Sequence, residues 1–461
     1  MNDYKNMGDL MGYFGITSSP VFSTFYNTVF AKGENQNLDM RGATWGRLQD
    51  VFTYEMWEKY NNVEVMATFT DLYSDPRAIG GSVKYNKLSG SIPRHKAIMT
   101  LDEVDVTEKK HQLYGMRSAL AGQSNVEAMV AQDMEDYFYD KLSAIPNAHK
   151  NTVNFMLGQL KSRLDFTLDD RTNPNGIKGL KFPSHVPEKN RKTVKFWTVG
   201  ADGKITYNAD INPLEYWQQL VYDIKNDPFY GYDKVTFEIN AKSFKTMLKH
   251  PACAKTIAYA MNGAFYLTAN NDKNATAFGT NWLLTASEEA KINIFKQICD
   301  IDEVLLSTAV TATEVTVKQT GAAPSLKRNK MDCFDEGRAL LRPTGDIISI
   351  IPVAPNRVDS SVITASIFGG RGIIEYWYEP REKVATWRSE LTCLPVFTVP
   401  SQCYNVAFTE TATADTATYT PVASPTGNPK TQGWYEKNSD GEYVLTEDTT
   451  VQSGKTYYTK S

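Results

Sequence analysis

Cysteine is scarce: five residues in 461, at 253, 299, 333, 393 and 403, with no Cys-x-x-Cys pair. This spacing excludes a disulfide framework and leaves each thiol as a small buried hydrophobe in a reducing compartment. The five histidines, His95, His111, His149, His185 and His250, stand alone in sequence. Metal ligation needs pairs at helical or short-loop spacing, so each is expected at the surface or in a hydrogen bond, and no metal site is predicted. No run of 18 apolar residues occurs, and the start lacks a basic stretch followed by an apolar one. The expectation is no membrane span, no secretion signal, and a cytoplasmic place of assembly. An excess of one charge is also lacking. Lys plus Arg total 49 against 53 for Asp plus Glu, a net charge of −4, which argues against a dedicated nucleic-acid binder.

Catalytic fingerprints are missing as well. There is no G-x-S-x-G and no P-loop, and Gly369-Gly370-Arg371-Gly372 lacks dinucleotide spacing and reads as a tight hairpin. The acids at Asp102/Glu103/Asp105 and Asp169/Asp170 read as solvated faces or turns. No catalytic residue and no cofactor are expected.

What is present is aromatic surface and uneven charge. Aromatic residues make up 12% of the chain, with 25 Tyr, which suits extended sheets and large contact surfaces. From Arg77 to Thr100 there are five cations (Arg77, Lys84, Lys87, Arg94, Lys96) and no acid, and four acids follow between Asp102 and Glu108.

Residues 1–75 carry only short periodic runs, such as Leu48, Val51, Phe52, Glu55 and Met56. An arm laid over a neighbour and an N-terminal layer of the same domain both fit. The pattern over 77–100 predicts a hairpin, 82–88 with 92–99 about Ser89-Gly90, too polar to stand without a partner surface. Ser124-Asn125-Val126-Glu127 forms a capping box, and Val126, Met129, Val130, Met134, Tyr137, Phe138 and Leu142 then mark one helical face. The opposite face is acidic, with Glu127, Asp133, Glu135, Asp136 and Asp140. Pro146 interrupts the pattern before Val153–Leu164 resume it, so two stacked helices or one long helix with a break both fit.

Short strands and turns are expected over 165–210. A helix begins at Asn212-Pro213 with Glu215 in its first turn, a strand covers 235–239, and helices cover 241–250, 252–261 and 288–299. A Thr/Asn-rich loop is expected at 268–280. Strands follow at 303–317, 347–353, 362–368, 373–378, 384–388, 394–399 and 404–409. This order makes the chain α+β. Thr, Ala, Pro and Ser then dominate 409–429, a linker by composition, ahead of a small aromatic β module at 433–458.

Pro380-Arg381-Glu382 through Leu394-Pro395-Val396-Phe397, then Pro400 and Tyr404-Asn405-Val406-Ala407-Phe408, resembles the closing segment of the lambda-like major capsid protein E family. Similar stretches lie upstream in the family's order. They are Ile92-Pro93-Arg94 and Leu101-Asp102-Glu103-Val104-Asp105, the helical stretch ending in Leu164-Asp165-Phe166-Thr167-Leu168, and the helix–strand–helix ending in Ala241-Lys242-Ser243-Phe244. The resemblance spans about 77–409. It implies the tailed-phage major capsid fold: an N-terminal arm (1–76), an E-loop hairpin (77–112), a peripheral domain with a spine helix (113–210), an axial domain (211–350) and return strands of the peripheral domain (351–409). A linker (410–430) and a small C-terminal β module (431–461) lie outside it.

The implied role is a non-enzymatic shell subunit forming hexamers and pentamers around double-stranded DNA held non-specifically. Portal, scaffold and head accessory proteins are the implied partners, and the virion is the implied location. Charge adds an expected inter-subunit contact, with Arg77, Lys84, Lys87, Arg94 and Lys96 of one copy facing Asp133, Asp136 and Asp140 of the next. A rival reading is a carbohydrate-binding or carbohydrate-processing surface protein that uses Trp434, Tyr435, Tyr457 and Tyr458.

Overall fold

The computed structural model describes residues 20, 24, 26, 38–59, 85–101, 108, 111, 126–174, 176–200, 203–227, 231–269, 272–317, 325–355, 362–379, 384–411, 419–422, 426–429, 434–437, 443–445, 448–452 and 455–460. They fall into two compact units, the first comprising 1–194 with 211–407 and the second 195–210 with 408–461. Within them the α+β class holds.

The first unit opens with strands β1 (Ala43–Trp45), β2 (Thr53–Lys59), β3 (Tyr85–Ser91) and β4 (Arg94–Leu101), followed by helix α1 (Val126–Arg163). Small strands β5 (Phe166–Thr167) and β6 (Lys181–Phe182) pair next to it, and β7 (Arg191–Val199) and β8 (Ile205–Tyr207) come next in the chain. Helix α2 (Pro213–Lys225), strand β9 (Val235–Asn240) and helices α3 (Ala241–Leu248), α4 (Pro251–Ala269), α5 (Asp272–Thr285) and α6 (Glu288–Cys299) follow. The remaining strands of this unit are β10 (Glu303–Ser307), β11 (Val310–Val317), β12 (Ser325–Asp332), β13 (Arg338–Pro343), β14 (Ile348–Pro352), β15 (Ile363–Ile367), β16 (Gly372–Glu379), β17 (Val384–Phe397) and the start of β18 (Tyr404–Thr411).

One sheet runs β1-β14-β17-β16-β15, with β4 also paired to β17. A second aligns β10, β9, β13 and β18, with β9 and β10 parallel. The pairs β2–β3 and β11–β12 are two-stranded ribbons.

Helix α1 is a single element of 38 residues, about 57 Å at 1.5 Å per residue, and Pro146 lies inside it. Proline removes one helical N–H, a loss a long helix tolerates when packing holds it, and Ile145 and Pro146 are both buried. Val153, Met156, Leu157, Leu160 and Leu164 fill the main core together with Leu391, Leu394 and Val396 of β17. Gly158 permits a close approach, because a Cβ there would lie 2.3 Å from the carbonyl oxygen of Cys333. Asn212 caps α2 as its sequence predicts, accepting a hydrogen bond from the Leu214 N–H at 3.2 Å and donating to Glu215 Oε1 at 2.8 Å.

Several expectations change. Strands β3 and β4 do not pair with each other. β3 is antiparallel to β2, β4 is antiparallel to β17, and the chain turns between the two sheets at Ile92-Pro93. The loop expected at 268–280 is instead occupied by α5 from Asp272 onward. Its weak helix formers are overridden by a seam in which Ala275 packs on Ala258, and Gly279 sits where a Cβ would come within 1.8 Å of the Ala254 carbonyl oxygen. The strands at 384–388 and 394–399 are one strand, and Pro395 is tolerated because this stretch of β17 pairs with β14 along one edge only among the described residues. Within the N-terminal segment β1 pairs with β14, and Ala43, Tyr54 and Glu58 are buried.

In the second unit β7 forms a hairpin with β8, and Phe196 stacks on Phe408 at 5.5 Å. A further four-stranded sheet runs β19 (Tyr419–Pro421), β22 (Tyr458–Lys460), β20 (Tyr435–Lys437), β21 (Tyr443–Leu445). The stretch predicted as a linker therefore supplies a strand, β19, which is antiparallel to β22.

Candidate functional site

The β2–β3 ribbon alternates as a strand pair must. Tyr54, Glu58 and Leu88 point inward, while Glu55, Trp57 and Lys87 point outward, with Trp57 63% exposed. Gly90 lies under the Tyr54 ring, where a Cβ would be 2.7 Å from Cε1. The Tyr54 hydroxyl and His185 Nε2 share a hydrogen bond at 3.0 Å, and burial pushes the Tyr54 phenol up to about 12. Glu58 anchors the far end, its buried carboxylate accepting the Ser401 N–H at 2.8 Å and the Ser401 hydroxyl at 2.9 Å.

The predicted contact cations are divided between two sheets. Lys87 bridges across the ribbon to Glu55 at 2.7 Å. Arg94 and Lys96 lie on β4 and share Glu390 of β17, at 3.0 and 3.7 Å, and Arg94 also stands 5.0 Å over the Phe52 ring. Beside them Arg388 pairs with Glu375 and lies 5.6 Å over Trp377. The charge imbalance visible along the chain is thus offset across strands by Glu55 and Glu390. Asp136 is exposed on α1. Arg77, Lys84 and the side chains of Asp133 and Asp140 lie outside the described residues.

Two buried polar clusters escaped the sequence reading. In the first, Glu238 of β9 meets Lys161 of α1 at 3.0 Å and Arg342 of β13 at 2.5 Å, all three nearly inaccessible. Lys161 also donates to the Arg41 carbonyl at 2.8 Å, and Arg342 donates to the carbonyls of Pro343 and Gly345 at 3.0 and 2.9 Å. Gly42, at φ +72°, leaves room for the guanidinium. The one available signal was a charged residue within each of two apolar runs, Val235–Ile239 and Ala339–Leu341 with Arg342.

The second cluster joins β4, α1 and β17. His95 and His149 rings are 5.8 Å apart, and His149 Nε2 and Ser389 Oγ share a hydrogen bond at 2.7 Å. His95 Nε2 lies 3.7 Å from Cys393 Sγ, and its Nδ1 is buried without a hydrogen-bond partner. Desolvation lowers His95 to about 4, and His149, with a further push from its neighbour, to about 3. Both rings are therefore neutral at physiological pH. Histidines expected to stand alone are brought together by long-range pairing.

All five cysteines are free and buried, with their thiols pushed up by desolvation. Among the described residues no group of three or more His, Cys, Asp or Glu is placed to hold a metal ion, and no helix is long and apolar enough to cross a membrane.

In the C-terminal sheet Trp434 and Tyr457 are buried with ring centroids 5.7 Å apart. The Tyr457 hydroxyl donates to Asp448 at 2.7 Å, and Lys455 joins Glu436 and Asp448 at 2.6 and 2.9 Å. These two rings form a small core and offer no open stacking face, which removes half of the aromatic set on which the carbohydrate reading depended.

No protein-family model and no curated protein matches the chain. Among solved structures it is similar to the mature capsid of bacteriophage PhiM1, at 11% identity and a TM-score of 0.35 over 80% of this chain and 86% of that one. A phage-related protein from Bordetella bronchiseptica RB50 is similar at 14% identity and a TM-score of 0.36, over 84% and 96% of the two chains. The capsid of Cyanophage P-SCSP1u is similar at 7% identity and a TM-score of 0.37, over 80% and 86%.

Proposed function

We propose that this chain is the major capsid protein of a tailed bacteriophage, a non-enzymatic subunit that self-assembles into an icosahedral head around double-stranded DNA. The observation that carries the reading is one connected arrangement. A ribbon, β2–β3, leads directly into β4, which is paired to β17 in the sheet lined by the 38-residue helix α1. A single chain with no further role would have little use for a ribbon whose outward face carries an exposed Trp57; a subunit in a lattice uses such a projection to reach its neighbour. The ordered sequence resemblance to the lambda-like major capsid protein E family supports the same reading.

On this reading β2–β3 with the chain between them serves as the E-loop, α1 as the spine, and β9, β10, β13 and α2–α6 as the axial domain. Strands β14–β17 are the return strands. Hexamers and pentamers form in the host cytoplasm with portal, scaffold and accessory proteins, and packaged DNA is held non-specifically. Lys87, Arg94 and Lys96 keep exposed faces despite their partners, with 46%, 39% and 46% of the side chain accessible. With Arg77 and Lys84 they remain the proposed cationic contacts to Asp133, Asp136 and Asp140 of an adjacent copy. The test is a negative-stain micrograph and a sedimentation profile of the purified chain. Shells or ring-shaped capsomers are expected; a monodisperse monomer that binds sugars refutes the proposal.

A further inference from the structure

The aromatic C-terminal stretch is a sequence feature that shell formation does not use. Its strands run β19-β22-β20-β21, and antiparallel partners that stand directly opposite one another share a face of the sheet. One face has its partners within the chain. It carries the buried Trp434 and Tyr457, and Glu436 on the same side is paired with Lys455. The segment 448–452 fastens to it, with Asp448 accepting from the Tyr457 hydroxyl and the Gln452 N–H donating to that hydroxyl at 3.0 Å.

The opposite face differs in composition. Register sets Pro421, Tyr458, Tyr435 and Leu445 in one rung across the four strands, and Tyr458 is partly exposed. Lys437 with Tyr443 stands on one side of the rung, and Tyr419 with Lys460 on the other. These positions include no acid, although residues 431–461 hold five acids against three lysines. The residue types select the ligand. Tyrosine combines a flat apolar ring with a polar tip, which suits a sugar ring that is apolar on its faces and hydroxylated at its rim. A protein-docking centre is depleted of lysine, and single-stranded nucleic acid needs a positively charged groove, which a stretch with more acids than lysines does not supply. The rung is about 14 Å long, three strand intervals of about 4.8 Å, the span of a short oligosaccharide. Two lysines and no acid on one face favour carboxylate or sulfate groups on that glycan.

We propose that this tyrosine–lysine face binds an acidic glycan, with Tyr435 and Tyr458 at the centre of the site and Lys437 and Lys460 flanking it. The activity is additional to shell formation and does not rest on it. The full chain is tested by affinity electrophoresis against hyaluronan, which carries carboxylates alone, chondroitin sulfate, which carries carboxylates and sulfates, and neutral dextran. Sedimentation of the same samples reports assembly separately. At least one acidic polysaccharide should retard the chain, and dextran should not. Tyr435→Ala with Tyr458→Ala should weaken the retardation at least about tenfold. Lys437→Gln with Lys460→Gln, which spares the aromatic positions, should remove the preference for acidic over neutral glycan. Lys189→Gln with Lys192→Gln, at exposed positions elsewhere, should bind as the unaltered chain does. No retardation by either acidic polysaccharide, equal retardation by polyglutamate or oligothymidylate, or a loss no greater in the Tyr435/Tyr458 and Lys437/Lys460 variants than in the Lys189/Lys192 variant would overturn the inference while leaving the capsid reading intact.

Discussion

Acidification from pH 7 to pH 5 should destabilise the folded subunit through the enclosed pair His95 and His149. In the unfolded chain each imidazole has its ordinary pKa near 6.5 and takes up about three-quarters of a proton over this interval, whereas in the fold the two are held neutral, at about 4 and about 3. The unfolded state then binds more protons than the native one, so stability falls as pH falls below about 6.5 and levels off only as the folded rings titrate. Integrated between pH 7 and pH 5, the difference is about 2 kcal/mol for each ring and about 4 kcal/mol for the pair. His185, also lowered by burial, adds a smaller change of the same sign. Asp39, Asp165 and Asp169 are held below the usual carboxylate range and stay ionised at pH 5 in both states, so they do not contribute in this window. The assay is urea unfolding at both pH values, for the unaltered chain and for the double variant His95→Gln, His149→Gln. The double variant should lose most of the pH dependence. A stability that is level between pH 7 and pH 5, or a double variant with the full dependence, would refute the reasoning.

Removing the shared anion of the buried triad, Glu238→Ala, leaves Lys161 and Arg342 enclosed without compensation and should cost about 3–5 kcal/mol in urea unfolding; a loss below about 1 kcal/mol would show that the cations escape to solvent. Deletion of residues 1–71 should abolish cooperative unfolding, because it removes the β1 partner of β14, leaves β3 unpaired and strips Glu58 from Ser401. A sharp melt of that truncated chain would place 38–59 outside the folding unit.

What was legible in the sequence is what local chemistry dictates. The start of α2 follows from Asn212, Pro213 and Glu215, and α6 and the Gly369-Gly370 turn follow from equally local signals. Local signals failed where a distant surface decided. Ser89-Gly90 is a fair turn by composition, yet Ile92-Pro93 carries the chain from one sheet to another because the β17 edge competes successfully for β4. Helix α5 was missed since Thr, Asn and Gly favour helix weakly, and only the backbone of α4 makes Gly279 an advantage. The cations of the proposed inter-subunit contact stand out in sequence as a charge imbalance, but the acids that answer it within the chain, Glu55 and Glu390, lie far from most of those cations in sequence.

The buried polar groups share a position that explains why they are tolerated. Glu238, Lys161 and Arg342 join α1 to β9 and β13, while Glu58 joins β2 to the turn before β18. His149 and Ser389 join α1 to β17, and Asn405 donates to the Lys161 and Ser162 carbonyls at 3.2 and 2.8 Å. Apolar contacts at these junctions would tolerate a slip of one residue along a strand or one turn along the helix. A hydrogen-bonded carboxylate or amide does not, since a slipped register leaves it buried and unpaired at a cost of about 1–3 kcal/mol, and more for a charge. For a subunit proposed to repeat many times in one closed shell, errors in the angle between elements would accumulate from copy to copy. Conformational specificity at the junctions then matters more than the modest net stability such groups contribute.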